Sequence, residues 1–169
     1  MSETAKYRNL TVKYCSGNGV DLGSGGNPVV PWAISVDLPR DEYASYNAGN
    51  SPEHSVHWRG DALNLPFKDG TLDFVYSSHL LEDFADWTPA LREWTRVLKR
   101  GGNLVILMPD RALWAEALRR GQPPNCAHRK EGEVGALTRE TRGILKPIED
   151  RLTDAYVNDY SILFVGEKL

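Results

Sequence analysis

Val20-Asp21-Leu22-Gly23-Ser24-Gly25-Gly26 is an apolar run that closes on a carboxylate and then on a glycine-rich turn. That pattern describes a buried strand opening onto a ligand, because Gly23 and Gly25 accept φ > 0 and present bare backbone to whatever lies against them. Just beyond, Ala33-Ile34-Ser35-Val36-Asp37 repeats the theme with a short run ending in an acid. A carboxylate at the tip of the strand next to a glycine turn is placed to accept two hydrogen bonds from a ribose diol. The two segments together read as the first half of a nucleoside-binding α/β sheet.

The dinucleotide fingerprint G-x-G-x-x-G needs glycine at position 28, where this chain has Pro28. That disfavours a nicotinamide-dependent oxidoreductase. The acidic-x-Gly-x-Gly pattern of Asp21, Gly23 and Gly25 instead resembles the first motif of class I S-adenosylmethionine-dependent methyltransferases. Three further segments resemble the same family in the same order: Gly60-Asp61-Ala62-Leu63-Asn64-Leu65-Pro66-Phe67, Leu72 to Glu82, and Val97 to Ile106. The likeness covers roughly residues 19–110. It implies a Rossmann-like, mostly parallel seven-stranded sheet with helices on both faces and an antiparallel C-terminal hairpin.

At 169 residues the chain is read as one domain, 1–169, with a proper core. A net charge of −3 argues against a general nucleic-acid clamp, which needs a basic face. Arg111, Arg119, Arg120, Arg129 and Lys130 form either a local basic patch or a solvated helix face. Cys15 and Cys126 lack the spacing of a disulfide framework or a metal site, so both are read as free thiols. No apolar run approaches ~20 residues and the Met-Ser-Glu-Thr start lacks signal-peptide character, so a cytoplasmic protein without membrane association is expected. His54, His57 and His128 have no Cys or His at metal spacing, and no metal is expected.

Alternation of short apolar runs with helical periodicity predicts strands near 19–23, 33–37, 55–59, 72–77 and 103–108. Helices are predicted over 87–99, where Leu91, Trp94 and Leu98 share a face, over 111–120, and from Thr138 toward Leu145. Gln122-Pro123-Pro124-Asn125 predicts a loop. The apolar run from Tyr160 to Val165 reads as a buried strand, and the resemblance implies that Arg151 to Asn158 pairs with it as an antiparallel hairpin. Two features depart from the family pattern. Asn27 to Trp32, with Pro28 and Pro31, leaves no room for the usual first crossover helix, so that crossover is shortened to a loop or single turn. Asp41 to Ser55 is a poor helix and a candidate lid.

The resemblance assigns Asp21, Gly23, Ser24 and Gly25 to the methionyl end of the cofactor S-adenosyl-L-methionine, Asp37 and Leu38 to its ribose and one adenine face, and Asp61 and Ala62 to the adenine amino edge. Ser77 would line the cofactor by its backbone. Plainer roles stand beside these: Asp21 tying the glycine turn, Asp37 as a turn former before Pro39, and Asp61 opening an Asx turn. His79 and His128 are the candidate catalytic bases, since an imidazole titrates near neutrality. For His79 the plainer role is capping the next turn; for His128 it is a surface-loop histidine. Glu82 and Asp83 either orient His79 or face water, and solvation is the expectation. The acceptor is read as small or presented by a partner. A non-catalytic cofactor-binding subunit of the same fold is the rival reading.

Overall fold

A computed structural model describes residues 3–39 and 56–169. Seven strands form one sheet: β1 (Gly19–Leu22), β2 (Ile34–Asp37), β3 (Trp58–Arg59), β4 (Leu72–Ser78), β5 (Leu98–Pro109), β6 (Leu145–Leu152) and β7 (Ser161–Lys168), in the order β3-β2-β1-β4-β5-β7-β6. The first five run parallel, and β7 lies antiparallel between β5 and β6. The helices are α1 (Glu3–Thr11), α2 (Thr88–Val97), α3 (Arg111–Arg119) and α4 (Ala136–Glu140).

The central strands are apolar on both faces, as a parallel sheet covered on two sides requires. Side chains alternate strictly. Val75, Leu104, Ile106 and Phe164 join one core beneath α2, while Phe74, Tyr76, Val105, Leu107 and Val165 join a second with Tyr7 of α1. Thr88 and Pro89 open α2, and its buried face carries Ala90, Leu91, Trp94 and Val97. Asp110 caps α3 by accepting from the amides of Ala112 and Leu113.

The first crossover, residues 23–33, consists of turns. Its place on the second face is taken by α1, which the sequence reading left without structure. Arg8 donates to the carbonyls of Pro28 and Val29 and to Asn27 Oδ1, so a side chain from α1 holds the crossover where a helix would hold itself.

Four expectations are corrected. The partner of β7 is Leu145–Leu152, not 151–158, because Asp159 organises the later stretch as a loop, accepting from the Thr153 hydroxyl and the Ala155 and Ser161 amides. The helix expected from Thr138 to Leu145 is the short α4; Gly135, at φ +86°, precedes it, and the Thr138 hydroxyl donates to Asp150 instead of capping. Of the strand expected over 55–59, the described residues form Trp58–Arg59, which pairs with β2. β5 also begins earlier than expected, directly after α2. The lid proposed over 41–55 and His54 lie outside the described residues. Among the described residues no helix is long and apolar enough to cross a membrane.

Candidate functional site

The chain leaves β1 toward β2 on one side and returns through β4 on the other, and a cleft of about 370 Å³ opens at that reversal, on the carboxyl ends of the strands. The glycine turn forms one wall. The amides of Gly23 and Ser24 donate to the Val36 carbonyl at 3.0 and 3.3 Å, and Gly23, Gly25 and Gly26 have φ of +70°, +55° and +73°. A Cβ built on Gly25 would meet nothing within 4 Å. Gly25 is therefore bare toward open cleft, not toward the protein's own packing.

Asp37 lines the cleft with Leu38. Its carboxylate accepts from the Gly25 amide at 3.0 Å and from the Leu38 amide at 2.9 Å, so it also braces the glycine turn from the next strand. Asp21 lies beneath the turn and is 0 % exposed. One of its oxygens accepts from the Val29 amide at 2.6 Å, which ties down the shortened crossover; the other is buried without a hydrogen-bond partner. Burial holds this carboxyl well above the usual carboxylate range, against the opposing pull of the Val29 amide. Ser24 and Ser77 are likewise buried under the wall, Ser77 with an unpartnered hydroxyl.

A smaller cavity of about 60 Å³ adjoins the cleft, sharing Gly23, Asp37 and Leu38 and reaching Asp61 and Ala62. Asp61 accepts from the Leu63 amide at 2.8 Å, the geometry of an Asx turn. The Trp94 indole donates to the Ala62 carbonyl at 2.9 Å, and Glu93 and Arg96 bind the backbone of Leu65, so α2 sets the position of this loop.

The opposite wall is made by His79, Leu80, Asp83 and Phe84 with Ala127 and Arg129. His79 has φ +55°, a conformation that non-glycine residues rarely adopt. Its ring is fixed on every side. Nδ1 lies 3.3 Å from Glu82 Oε1, Nε2 lies 3.1 Å from the Ser161 hydroxyl and 3.7 Å from Glu3, and Tyr7 stacks on the ring at 6.0 Å. Burial works against its positive charge, but Glu82 and Glu3 outweigh burial and raise its pKa above the ordinary histidine value.

His128 stands behind the wall. Its Nε2 is 3.6 Å from Glu82 Oε1, its Nδ1 is 3.7 Å from Glu131, and Trp114 packs on its ring at 5.0 Å. The structure thus brings His79 and His128 to the same carboxylate. Both histidines direct their nitrogens at protein groups, not into the cleft.

The expectation that Glu82 faces water is overturned: it is 0 % exposed, because the short turn Leu81–Asp83 rotates it inward beneath the 127–130 segment. The i, i+3 spacing from His79 is the one sequence signal that would have found it. Arg119 and Arg120 pair with Glu116, and Lys130 lies 4.0 Å over the Trp87 ring. Among the described residues no group of three His, Cys, Asp or Glu is placed to hold a metal ion.

The family described as "Methyltransferase domain" matches residues 20–106. An uncharacterized 37.1 kDa protein in transposon TN4556 of Streptomyces fradiae is 37 % identical over 98 residues, 56 % of this chain and 28 % of that protein. Demethylmenaquinone methyltransferase of Staphylococcus haemolyticus is 48 % identical over 54 residues, 32 % of this chain and 22 % of the enzyme. The chain therefore matches only about a quarter of the length of these relatives. Among solved structures, a SAM-dependent methyltransferase from Thermotoga maritima described as a possible histamine N-methyltransferase superposes with a TM-score of 0.70 at 22 % identity, covering 99 % of this chain and 90 % of that one. A likeness at that identity shows the fold.

Proposed function

The chain belongs to the methyltransferase-domain family, and from that membership we propose that it transfers a methyl group from S-adenosylmethionine to a small or partner-presented acceptor. The observation that carries the reading is the cleft at the β1/β4 reversal, which joins the open backbone of Gly25, the carboxylate of Asp37 and His79 in one space. The residues fit the cofactor. The open backbone at Gly25 leaves room for the methionyl end above the buried Asp21, Asp37 offers acceptors for a diol, and the Asp61–Ala62 cavity suits a flat heteroaromatic edge.

When bound, the cofactor supplies an activated methyl on a sulfonium, which leaves as a neutral thioether without metal or covalent enzyme chemistry. What the protein must then provide is alignment, with the acceptor atom about 3–3.5 Å from the methyl carbon. Gly23, Ser24 and Gly25 would hold the methionyl end, Asp37 and Leu38 the ribose, and Asp61 and Ala62 the adenine. Ser77 supports the floor. Leu80 and Phe84 exclude water, and His79 borders the acceptor side with its ring nitrogens turned to Glu82 and Ser161.

Calorimetric titration with S-adenosylmethionine, S-adenosylhomocysteine and NADH tests this reading. Binding of the first two and not the third is expected; binding of NADH alone overturns it. A second reading, a cofactor-binding subunit that supports a partner, is favoured by the internal engagement of both histidines. Turnover on a panel of phenols, amines and carboxylic acids separates the two.

A further inference from the structure

We propose that Glu82 is the positioning residue of the acceptor wall, a single buried carboxylate that makes His79 and His128 one proton-sharing pair and fastens the 127–130 segment beside the cleft. The proposal deepens the methyltransferase reading and rests on it for the identity of that wall.

Glu82 acts through both its backbone and its side chain. Its carbonyl accepts from the amides of Arg129 and Lys130 at 2.8 and 3.0 Å, which sets the register of the segment carrying Ala127 and Arg129 into the cleft. Its carboxylate lies 3.3 Å from His79 Nδ1 and 3.6 Å from His128 Nε2. Neither oxygen makes a hydrogen bond, and both imidazoles approach the same atom, Oε1, at ion-pair distance. A carboxylate taken wholly out of water needs a counter-charge, and the two imidazoles are the groups in reach. Of the two, His79 is the one whose protonated form Glu82 favours, and His128 stands beside the same oxygen.

The surroundings bias where that proton sits. His79 faces Glu3 and Lys6 of α1, the rings of Tyr7 and Tyr160, the Ser161 hydroxyl and Glu82. His128 faces Glu82, Glu131 and the Trp114 ring. The strained φ of His79 is held by this anchoring of its ring, so loss of the Glu82 charge would release the residue that borders both cofactor and acceptor.

The test reads imidazole titrations by NMR on the whole chain without cofactor, independently of any activity. The protein has four histidines, and His79→Asn and His128→Asn assign the two that matter. In Glu82→Gln, which keeps shape and removes charge, both midpoints fall, and Glu82→Asp restores part of each. Glu131→Gln moves His128 alone. In His79→Asn, where asparagine tolerates the left-handed backbone, the His128 midpoint rises because it no longer shares the carboxylate.

A His128 midpoint unchanged in Glu82→Gln, or movement of His79 alone, overturns the shared pair. If Glu82→Gln does not fold, His79→Asn decides: an unmoved His128 midpoint overturns the proposal. Failure of the wild-type protein to bind S-adenosylhomocysteine would strike the methyltransferase reading and leave these titrations as they stand.

Discussion

The two walls of the cleft are built in opposite ways. The wall proposed for the cofactor is backbone: three left-handed glycines, amides pinned to a neighbouring strand, and Asp37 bracing the turn by accepting from the Gly25 amide. The opposite wall is side chain: a buried glutamate between two histidines, roofed by aromatic rings contributed by α1, α3 and the loop before β7. Backbone made by adjacent residues carries a local signature, and its chemistry suits a constant ligand. A wall assembled from distant side chains has no local signature, and it is the part that would be retuned from one acceptor to another.

The largest effect that would sharpen this contrast is Gly25→Val. Its Cβ enters open space in the free protein, so the variant should fold with only the ~1–2 kcal/mol cost of a left-handed β-branched residue. Binding of S-adenosylhomocysteine should nevertheless be lost by calorimetry, since the side chain would occupy the ligand's place. Retained affinity in a folded variant would show that the wall is not where the cofactor lies.

Next comes Asp37→Ala, for which roughly 1.5–3 kcal/mol of binding, about ten- to a hundred-fold, should disappear. Because Asp37 also accepts from Gly25 and Leu38, thermal stability should fall with it. A drop in stability without loss of affinity would assign this residue to the turn alone.

The histidine wall predicts the complementary result. His128→Ala should leave S-adenosylhomocysteine affinity within about twofold, while methyl transfer to an acceptor found by panel screening falls. Equal damage to binding and turnover would erase the distinction between the walls.

The smallest effect is on pH. The folded pKa of His79 is raised, so its contribution to stability is fully present below the ordinary histidine value near 6.5 and is lost as pH rises through the raised folded value. Thermal unfolding followed from pH 6 to 8.5 should show that decline, and Glu82→Gln should flatten it. A profile identical in both proteins would mean that the wall is not held by the charge on His79.

Asp21, Gly23, Gly25, Asp37 and the alternating apolar strands could be read directly, because a turn, a strand tip and a two-residue period are local consequences of residue type. The shortened first crossover was equally legible, since two prolines within six residues leave no helix to form. The hairpin boundaries were not. Asp159 converts 153–160 into a loop through bonds to Thr153, Ala155 and Ser161 and to Tyr7 of α1, and nothing along 151–158 announces that.

What the sequence by itself determined is the glycine turn after the first strand and the carboxylate at the tip of the next, which line one wall of the cleft. What only the tertiary structure decided is the other wall. Arg8 replaces a missing helix, Tyr7 stacks on His79, and Glu82 turns inward to meet His128 from beyond the fifth strand. The physical reason is burial. The charge on Glu82 is the same in any sequence reading, but whether water or two imidazoles surround it depends on packing between elements far apart in the chain.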